Sequence, residues 1–126
     1  MGLPITTTEG GICFAFPDVC KTPIGTSEVP IPYPNIGLLS EAEDASTDVR
    51  VAGHPVILEN SEIKKTMGDE AGTGGPGPGE RVTFTSASAS VRINGEFVVR
   101  MTDKTSQNNG NAKGVVLGGV ANVRCG

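Results

Sequence analysis

A ten-residue pattern that occurs twice, 42 positions apart, constrains the fold of this chain more than any other feature. Residues 49–58 read VRVAGHPVIL, and residues 91–100 read VRINGEFVVR. Both copies place apolar, Arg, apolar before a glycine-containing pair, and Asn94-Gly95 is a preferred pair for a two-residue type I′ turn. Each copy is therefore predicted to form a β-hairpin, with Gly53 and Gly95 in the turns and the arginines on the solvent face.

A third segment completes this pattern near the end of the chain. Residues 114–126, GVVLGGVANVRCG, contain an apolar run, a predicted turn at Gly118-Gly119 and another short apolar strand. Three short hairpins cannot each bury a face alone, but they can do so when packed around a common axis. We therefore expect one domain, residues 1–126, with hairpin repeats near 49–58 and 91–100, C-terminal strands near 115–124, and pseudo-threefold symmetry.

Composition agrees with a loop-rich all-β domain. Valine is far commoner than leucine, tryptophan is absent, and the 126 residues include 18 glycines and 9 prolines. Such usage favours strands and turns over helices. Two phrases, CFAFPDVCKTPIG at 13–25 and VPIPYPNIG at 29–37, carry closely spaced prolines. Because proline fixes φ and lacks an N–H, we expect stiff chain here instead of helices or regular strands.

Charge and hydropathy exclude several functional classes. The net charge is −4 and the ten basic residues are scattered, so no nucleic-acid partner is expected. No segment has 18 consecutive apolar residues, so no stable membrane anchoring is expected.

Gly72, Gly74 and Gly77 match the dinucleotide pattern G-x-G-x-x-G. Pro76 and Pro78 prevent the helix that this pattern requires, which argues against nucleotide binding.

The sequence contains no convincing catalytic set. His54 is the single histidine, and it lies in a predicted hairpin turn. Asp18, Asp69, Glu70 and Asp103 have spacings that indicate no acid–base pair, and each is more simply a turn or cap residue. We therefore predict that the chain is not an enzyme.

The three cysteines leave two redox states open. Cys13 and Cys20 can form one disulfide, or all three thiols, Cys125 included, can stay reduced; the lack of a secretory signal favours the reduced state. Cys13, Cys20, Cys125 and His54 are weak candidates for a tetrahedral zinc site. The chain has no C-x-x-C pair, so no cofactor is expected, with zinc as the alternative.

Three phrases, in this order, resemble one family. CFAFPDVCKTPIG, VPIPYPNIG and KKTMGDEAGTGG are similar to the PAAR-like spike-tip proteins of contractile injection systems, chiefly bacterial type VI secretion. The resemblance implies a small cone that caps and sharpens a trimeric VgrG-type spike, one copy per trimer, and helps to attach effectors. It also implies a cytoplasmic protein before firing, delivered afterwards outside the cell or into a target cell.

The resemblance suggests where a spike would make contact. The apolar residues of the hairpins and of the C-terminal segment are the candidates: Val49, Val51, Val91, Ile93, Val115, Val116, Val120 and Val123.

The resemblance also implies a metal near the apex, held in the parent family by His and Cys residues of the loops after each hairpin. Asp18-Val19-Cys20 matches one such loop, whereas the loop TDKTSQNNGN, residues 102–111, has Ser106 and Gln107 where a histidine is expected.

Three other functions remain as alternatives to the spike tip. They are an effector adaptor, a small metal-binding β-domain not attached to a spike, and an enzyme with a glycine-rich loop. Because the chain ends at Gly126, soon after the last predicted strand, no separate effector domain is expected within it.

Overall fold

The computed structural model describes residues 2–74 and 78–126. In these residues the chain forms one 3₁₀ turn, Leu39–Glu41, and twelve β-strands. The strands are β1 (Leu3–Ile5), β2 (Ile12–Ile24), β3 (Ser27–Leu38), β4 (Arg50–Val51), β5 (His54–Pro55), β6 (Glu62–Ile63), β7 (Val82–Phe84), β8 (Arg92–Ile93), β9 (Glu96–Phe97), β10 (Lys104–Gln107), β11 (Ala112–Leu117) and β12 (Val120–Cys125). The all-β prediction is confirmed. Among the described residues, no helix has the length and apolar character needed to cross a membrane.

The largest sheet has six antiparallel strands in the order β3-β2-β11-β10-β7-β6. Its longest part is the β2–β3 hairpin, whose pairing continues from Ile12 opposite Leu38 to Ile24 opposite Ser27. Strand β11 accompanies β2 only as far as Ala15. Beyond this point the hairpin continues without β11, and we call residues 18–33 the distal hairpin.

The expectation of irregular chain between residues 13 and 37 was wrong, because this region forms the two longest strands of the described part. Strand β3 is an edge of the six-stranded sheet, and Pro30, Pro32 and Pro34 occupy alternate positions along it. Alternate residues of a strand direct their N–H groups to the same side, and proline is tolerated where that side has no partner strand. The prolines therefore block strand addition at this edge.

The two predicted hairpin repeats are present. Strand β4 pairs with β5, and β8 pairs with β9. Ala52 and Gly53 have φ values of 54° and 84°, and Asn94 and Gly95 have 55° and 81°. Both turns therefore have two left-handed residues, as type I′ requires.

The repeat extends beyond the ten residues first aligned. Ser46 and Ser88 are buried and also lie 42 positions apart. The Ser46 hydroxyl oxygen accepts a hydrogen bond from the N–H of Val49 at 3.0 Å, and the Ser88 oxygen accepts one from Val91 at 3.0 Å. The same short loop therefore leads into both hairpins.

The third hairpin differs from the prediction. Gly118-Gly119 joins β11 and β12, which lie in different sheets, so no hairpin forms there. Strand β12 instead pairs with β1, and Arg124 lies opposite Pro4, as Arg50 lies opposite Pro55 in the first hairpin. The third unit is thus built from two segments at opposite ends of the sequence.

A closed ring of hydrogen bonds joins the three units. Thr6 N donates to Val99 O at 3.1 Å, Val99 N donates to Ile57 O at 3.0 Å, and Ile57 N donates to Thr6 O at 3.0 Å. The donors two residues farther along the strands, Thr8, Glu59 and Met101, bond to the carbonyls of Pro55, Phe97 and Pro4, so a second ring joins the same units in the opposite sense. The ring gives a single chain pseudo-threefold symmetry.

Side chains on the ring strands alternate between two apolar clusters. One cluster contains Ile5, Val56, Leu58 and Val98. The other lies against the large sheet and contains Cys13, Leu39, Ile57, Ile63, Val82, Phe84, Val99 and Val116. Because successive strand residues point to opposite faces, the strands at 56–58 and 98–99 contribute to both clusters, and the N-terminal strand contributes Ile5 to the first.

Candidate functional site

Half-buried apolar side chains from all three units cover the first cluster and form what we call the base. Val51, Ile93 and Cys125 occupy equivalent places, one in each unit, and pack against the buried cluster of Ile5, Val56, Leu58 and Val98. The base also comprises half-buried Val91 and Val123, which pack against the same cluster, and the exposed Val49, whose exposed fraction is 37%. The base therefore presents the same apolar strand pattern three times around one axis.

Three arginines alternate with these apolar positions. Arg50 Nη1 donates to the carbonyl of Gly53 at 3.2 Å, and Arg124 Nη1 donates in the same way to Gly2 at 3.3 Å. Arg92 instead lies over a phenylalanine ring, 4.3 Å from its centroid. All three arginines are exposed, so each unit combines apolar surface with one cation.

The other predicted contact residues lie outside the base. Val116 is fully buried in the core against the large sheet, so its inclusion as a surface contact was wrong. Val115 is half-buried within the large sheet, opposite Phe14. Val120 is half-buried and pairs with Ile5.

The predicted Cys3His set is not assembled. Cys13 lies in the apolar core, where burial raises the pKa of its thiol to about 12. Cys125 belongs to the base and packs against the first apolar cluster, and His54 lies in the first hairpin. All three cysteines, Cys20 among them, are free thiols, so no disulfide joins Cys13 to Cys20.

Cys20 belongs to a separate group of buried polar side chains where the distal hairpin leaves the sheet. Four segments contribute to it: β2, β3, the loop after β6, and the end of β10 with the turn that follows. We call this group the polar cluster, and it comprises Asp18, Cys20, Asn35, Thr66, Asp69, Gln107, Asn108 and Asn111.

Asp18 is at the centre of the cluster and is fully buried. Its Oδ1 atom accepts from Asn111 Nδ2 at 2.6 Å and from Asn108 Nδ2 at 3.1 Å. Its Oδ2 atom accepts from Asn35 Nδ2 and Asn108 Nδ2, both at 3.2 Å. The Cys20 thiol also donates to Oδ1, at 3.6 Å. Both oxygens thus face donor groups.

The orientation of these amides is set by partners outside the cluster centre. Thr105 Oγ1 lies 2.7 Å from Gln107 Oε1, which leaves Gln107 Nε2 to donate to Asn35 Oδ1 at 2.8 Å. The oxygen of Asn108 accepts from the N–H of Glu80 at 3.0 Å. With their oxygens engaged in this way, Asn35 and Asn108 present NH₂ groups to Asp18.

The two carboxyl groups of the polar cluster, Asp18 and Asp69, differ in proton affinity. Burial, and next the hydrogen bond with Asp18, raises the pKa of Asp69 to about 6. Burial also acts to raise the pKa of Asp18, but hydrogen bonds from Asp69, Asn111 and Asn108 outweigh it and hold that pKa below its ordinary value. Burial and the charge of Asp18 raise the pKa of Cys20 to about 11. Below about pH 6 the negative charge therefore resides on Asp18, while Asp69 holds a proton.

The raised pKa of Asp69 predicts a specific pH dependence of stability. Between about pH 4 and pH 6 the folded protein holds a proton on Asp69 that the unfolded chain has released. The contribution of this group to the free energy of unfolding is therefore complete below about pH 4 and is lost as pH rises through 6. Asp69→Asn keeps a neutral group there at every pH. We expect Asp69→Asn and wild type to have similar Tm values near pH 4, and the variant to exceed wild type by roughly 5 °C near pH 7.

Thermal unfolding monitored by circular dichroism across this pH range measures the difference. Glu70→Gln is the matched control, because Glu70 is exposed in the same loop, and its Tm difference from wild type should stay constant. A constant difference for Asp69→Asn as well would contradict the assignment of the proton to Asp69.

The polar cluster does not fit a metal ion. One ligand atom each from Asp18, Cys20 and Asp69 lies within 4.8 Å of the other two, but a structural zinc site takes four ligands, commonly including histidine or several cysteines. The remaining neighbours present N–H groups, which repel a cation. In the described part of the chain, every buried side-chain nitrogen and oxygen has a hydrogen-bond partner, so a metal would have to displace bonds that the protein already makes.

Sequence reasoning missed most of this cluster. Asp18 and Asp69 were expected to be separate turn or cap residues, yet they lie in contact. Asn108 and Asn111 belong to the predicted loop at residues 102–111, where no functional role is predicted for them. The run NNGN, with Asn108 and Asn109 at positive φ, indicates a turn correctly but not that its amides are buried against β2.

The glycines of the dinucleotide pattern serve packing in the structure. Gly72 is buried, and a Cβ atom added there would overlap the side chain of Cys20. Gly74 N donates to the carbonyl of Lys21 at 2.8 Å. Gly77 and Pro76 lie outside the described residues. The glycines thus let the loop after β6 approach the distal hairpin closely.

Comparison with known proteins identifies the family of this fold. A family model described as a toxin PAAR-like domain matches residues 11–114. The chain is also 35% identical over 129 aligned residues to the DNase toxin Tse7 of Pseudomonas aeruginosa, an alignment that covers 90% of this chain and 32% of the relative. The chain thus spans about a third of the length of that relative. No solved structure matches significantly. With its PAAR-like phrases, its all-β fold and this match over most of its length, the chain belongs to the toxin PAAR-like domain family.

Proposed function

We propose that this protein caps the end of a trimeric VgrG-type spike in a contractile injection system of the type VI class, as one copy per trimer. The closed ring through Thr6, Ile57 and Val99 carries this proposal. It lets one chain present three similar surfaces around a single axis. A homotrimer ends in three identical surfaces, and such a base can contact all of them without itself forming an oligomer.

The chemistry of the base supports the same contact. Half-buried Val51, Ile93 and Cys125 offer apolar surface from each unit, and exposed apolar surface that recurs on one face is typical of an interaction site. The exposed arginines between them suit carboxylates at the rim of an interface. The trimer gains a cover for the strand edges and apolar surface at its own end.

The family and the relative support an association with toxins. Tse7 is a DNase toxin about three times the length of the matched segment, so a PAAR-like unit can be part of an effector. We infer that this domain carries an attached or bound effector on the spike and does not itself catalyse a reaction. In this proposal the protein is cytoplasmic in the producing bacterium until firing delivers it outside the cell or into a target.

The stoichiometry of the complex tests the proposal. The protein should be monomeric alone, and native mass spectrometry of its complex with a cognate VgrG-type trimer should give one copy per three spike chains. Three copies per trimer, a stable homotrimer of the free chain, or no binding would each contradict the spike-tip assignment.

A further inference from the structure

We propose that the distal end of this protein is organised by a buried anion, the carboxylate of Asp18, in place of the metal ion that PAAR-like resemblance implies. A metal centre holds several segments together because each segment supplies a lone pair to one cation. Here β3 and the segment that follows β10 supply N–H groups to one carboxylate on β2, and the loop after β6 places Asp69 beside that carboxylate. The charges of centre and surroundings are reversed, but the four segments are connected through a single point in the same way.

The donors come from separate parts of the chain, as a cross-link requires. Asn35 reaches Asp18 from β3, whereas Asn108 and Asn111 reach it from the segment that follows β10. Asp69 adds the loop after β6 and is itself fixed by the N–H of Gly79, which donates to Asp69 Oδ1 at 3.0 Å. Without Asp18, these segments would lose their common partner.

The local charge is consistent with an anionic centre. Among the described residues, no lysine or arginine forms an ion pair with Asp18 or Asp69. A buried carboxylate without a cation is stable only when several N–H groups solvate it, and Asp18 has four amide contacts within 3.2 Å. Of the other titratable groups in contact with it, Cys20 donates its thiol hydrogen to Asp18 Oδ1, and Asp69 accepts hydrogen bonds from Asn35 Nδ2 and the N–H of Gly79.

The side-chain amides of Asn35 and Asn108 cannot rotate to present their oxygens to a cation without losing other hydrogen bonds. Turning the Asn108 oxygen towards the centre would leave the N–H of Glu80 without its partner. Turning Asn35 would place its NH₂ against the NH₂ of Gln107. An unsatisfied buried polar group is costly, so the wider network holds these side chains in the arrangement that binds an anion.

Substitutions that remove or add negative charge in the polar cluster test the inference. Asp18→Asn removes the charge and places an NH₂ group among NH₂ groups, and we expect it to lower Tm by about 10 °C. Asn108→Asp adds a fourth ligand-type side chain beside Asp18, Cys20 and Asp69. A metal site would gain affinity from this change, whereas an anionic centre is destabilised by a further negative charge. Asn109→Asp, which adds the same charge at an exposed neighbour, is the control.

The measurements are Tm with added zinc chloride or EDTA, and metal content by mass spectrometry of the protein purified without a histidine tag. We expect well below one metal ion per chain, no Tm change of more than about 1 °C with zinc or EDTA, and a lower Tm for Asn108→Asp than for Asn109→Asp. One tightly bound metal ion per chain, or an Asn108→Asp variant that zinc stabilises above wild type, would overturn the inference. If Asp18→Asn does not fold, the metal content of the wild-type protein and the comparison of Asn108→Asp with Asn109→Asp still distinguish an anionic centre from a metal site.

Discussion

Gly114→Ala is expected to lower the free energy of unfolding by about 2–4 kcal/mol. Gly114 lies in β11, opposite Ala15 of β2, at the centre of the six-stranded sheet. A Cβ atom added there would overlap the carbonyl oxygen of Phe14 and come within 2.8 Å of the Ala15 Cβ atom. Backbone atoms of a paired strand cannot move aside singly, so β2 and β11 would have to separate.

The same methyl group would disturb the network that leads to the polar cluster. It would lie 2.7 Å from Gln107 Oε1, and Gln107 donates to the carbonyl of Cys13 and to Asn35. Displacing a buried, fully bonded amide leaves polar groups without partners, which adds to the cost of the strand separation. The destabilisation by Gly114→Ala should therefore be larger than any change that results from the restricted backbone of alanine in the unfolded chain.

Urea unfolding measures this change, with Gly10→Ala as the matched control. Gly10 is exposed, and a Cβ atom added there would have no neighbour within 4 Å. Gly10→Ala should stay within about 0.5 kcal/mol of wild type. A Gly114→Ala variant as stable as Gly10→Ala would show that β2 and β11 are not packed as described.

Of the three units related by the pseudo-threefold symmetry, only those built from one continuous stretch of sequence could be predicted. Residues 49–58 and 91–100 each form a hairpin, so a local comparison found both. The third unit pairs Arg124 with Pro4, and no local pattern can connect residues at the two ends of the chain. The Val-Arg-Cys sequence at 123–125 matches the earlier Val-Arg pairs, but it carries no turn that would indicate its partner.

The polar cluster was beyond sequence reasoning for a related reason. Spacing indicates which residues share a face of one strand or one turn, and Asp18 and Asp69 share neither. Their contact depends on how the glycine-rich loop after β6 packs on β2, which Gly72 permits by lying directly against Cys20. Buried asparagines give the same local pattern as exposed turn asparagines, so their role is visible only in three dimensions.

The base gives the second large expected effect. Val51→Asp/Ile93→Asp should weaken binding to a cognate VgrG-type trimer by at least about 100-fold. These side chains belong to two of the three equivalent units, so the double variant places a carboxylate at two of the three contacts with the trimer. A desolvated, unpaired charge at the centre of an interface costs far more than the loss of apolar area alone.

Two controls separate a lost contact from a damaged fold. Ile24→Asp adds a charge at an apolar side chain that is 53% exposed at the end of the distal hairpin, and it should bind the trimer like wild type. Val51→Thr/Ile93→Thr replaces apolar surface with hydroxyl groups, without adding a charge and with the net loss of one non-hydrogen atom at Ile93. This variant should keep Tm within several degrees while binding about 10-fold more weakly. Titration of labelled protein with the spike trimer gives these affinities. If Ile24→Asp weakens binding and both double variants do not, the contact lies on the distal hairpin, and the base is not the surface that meets the spike.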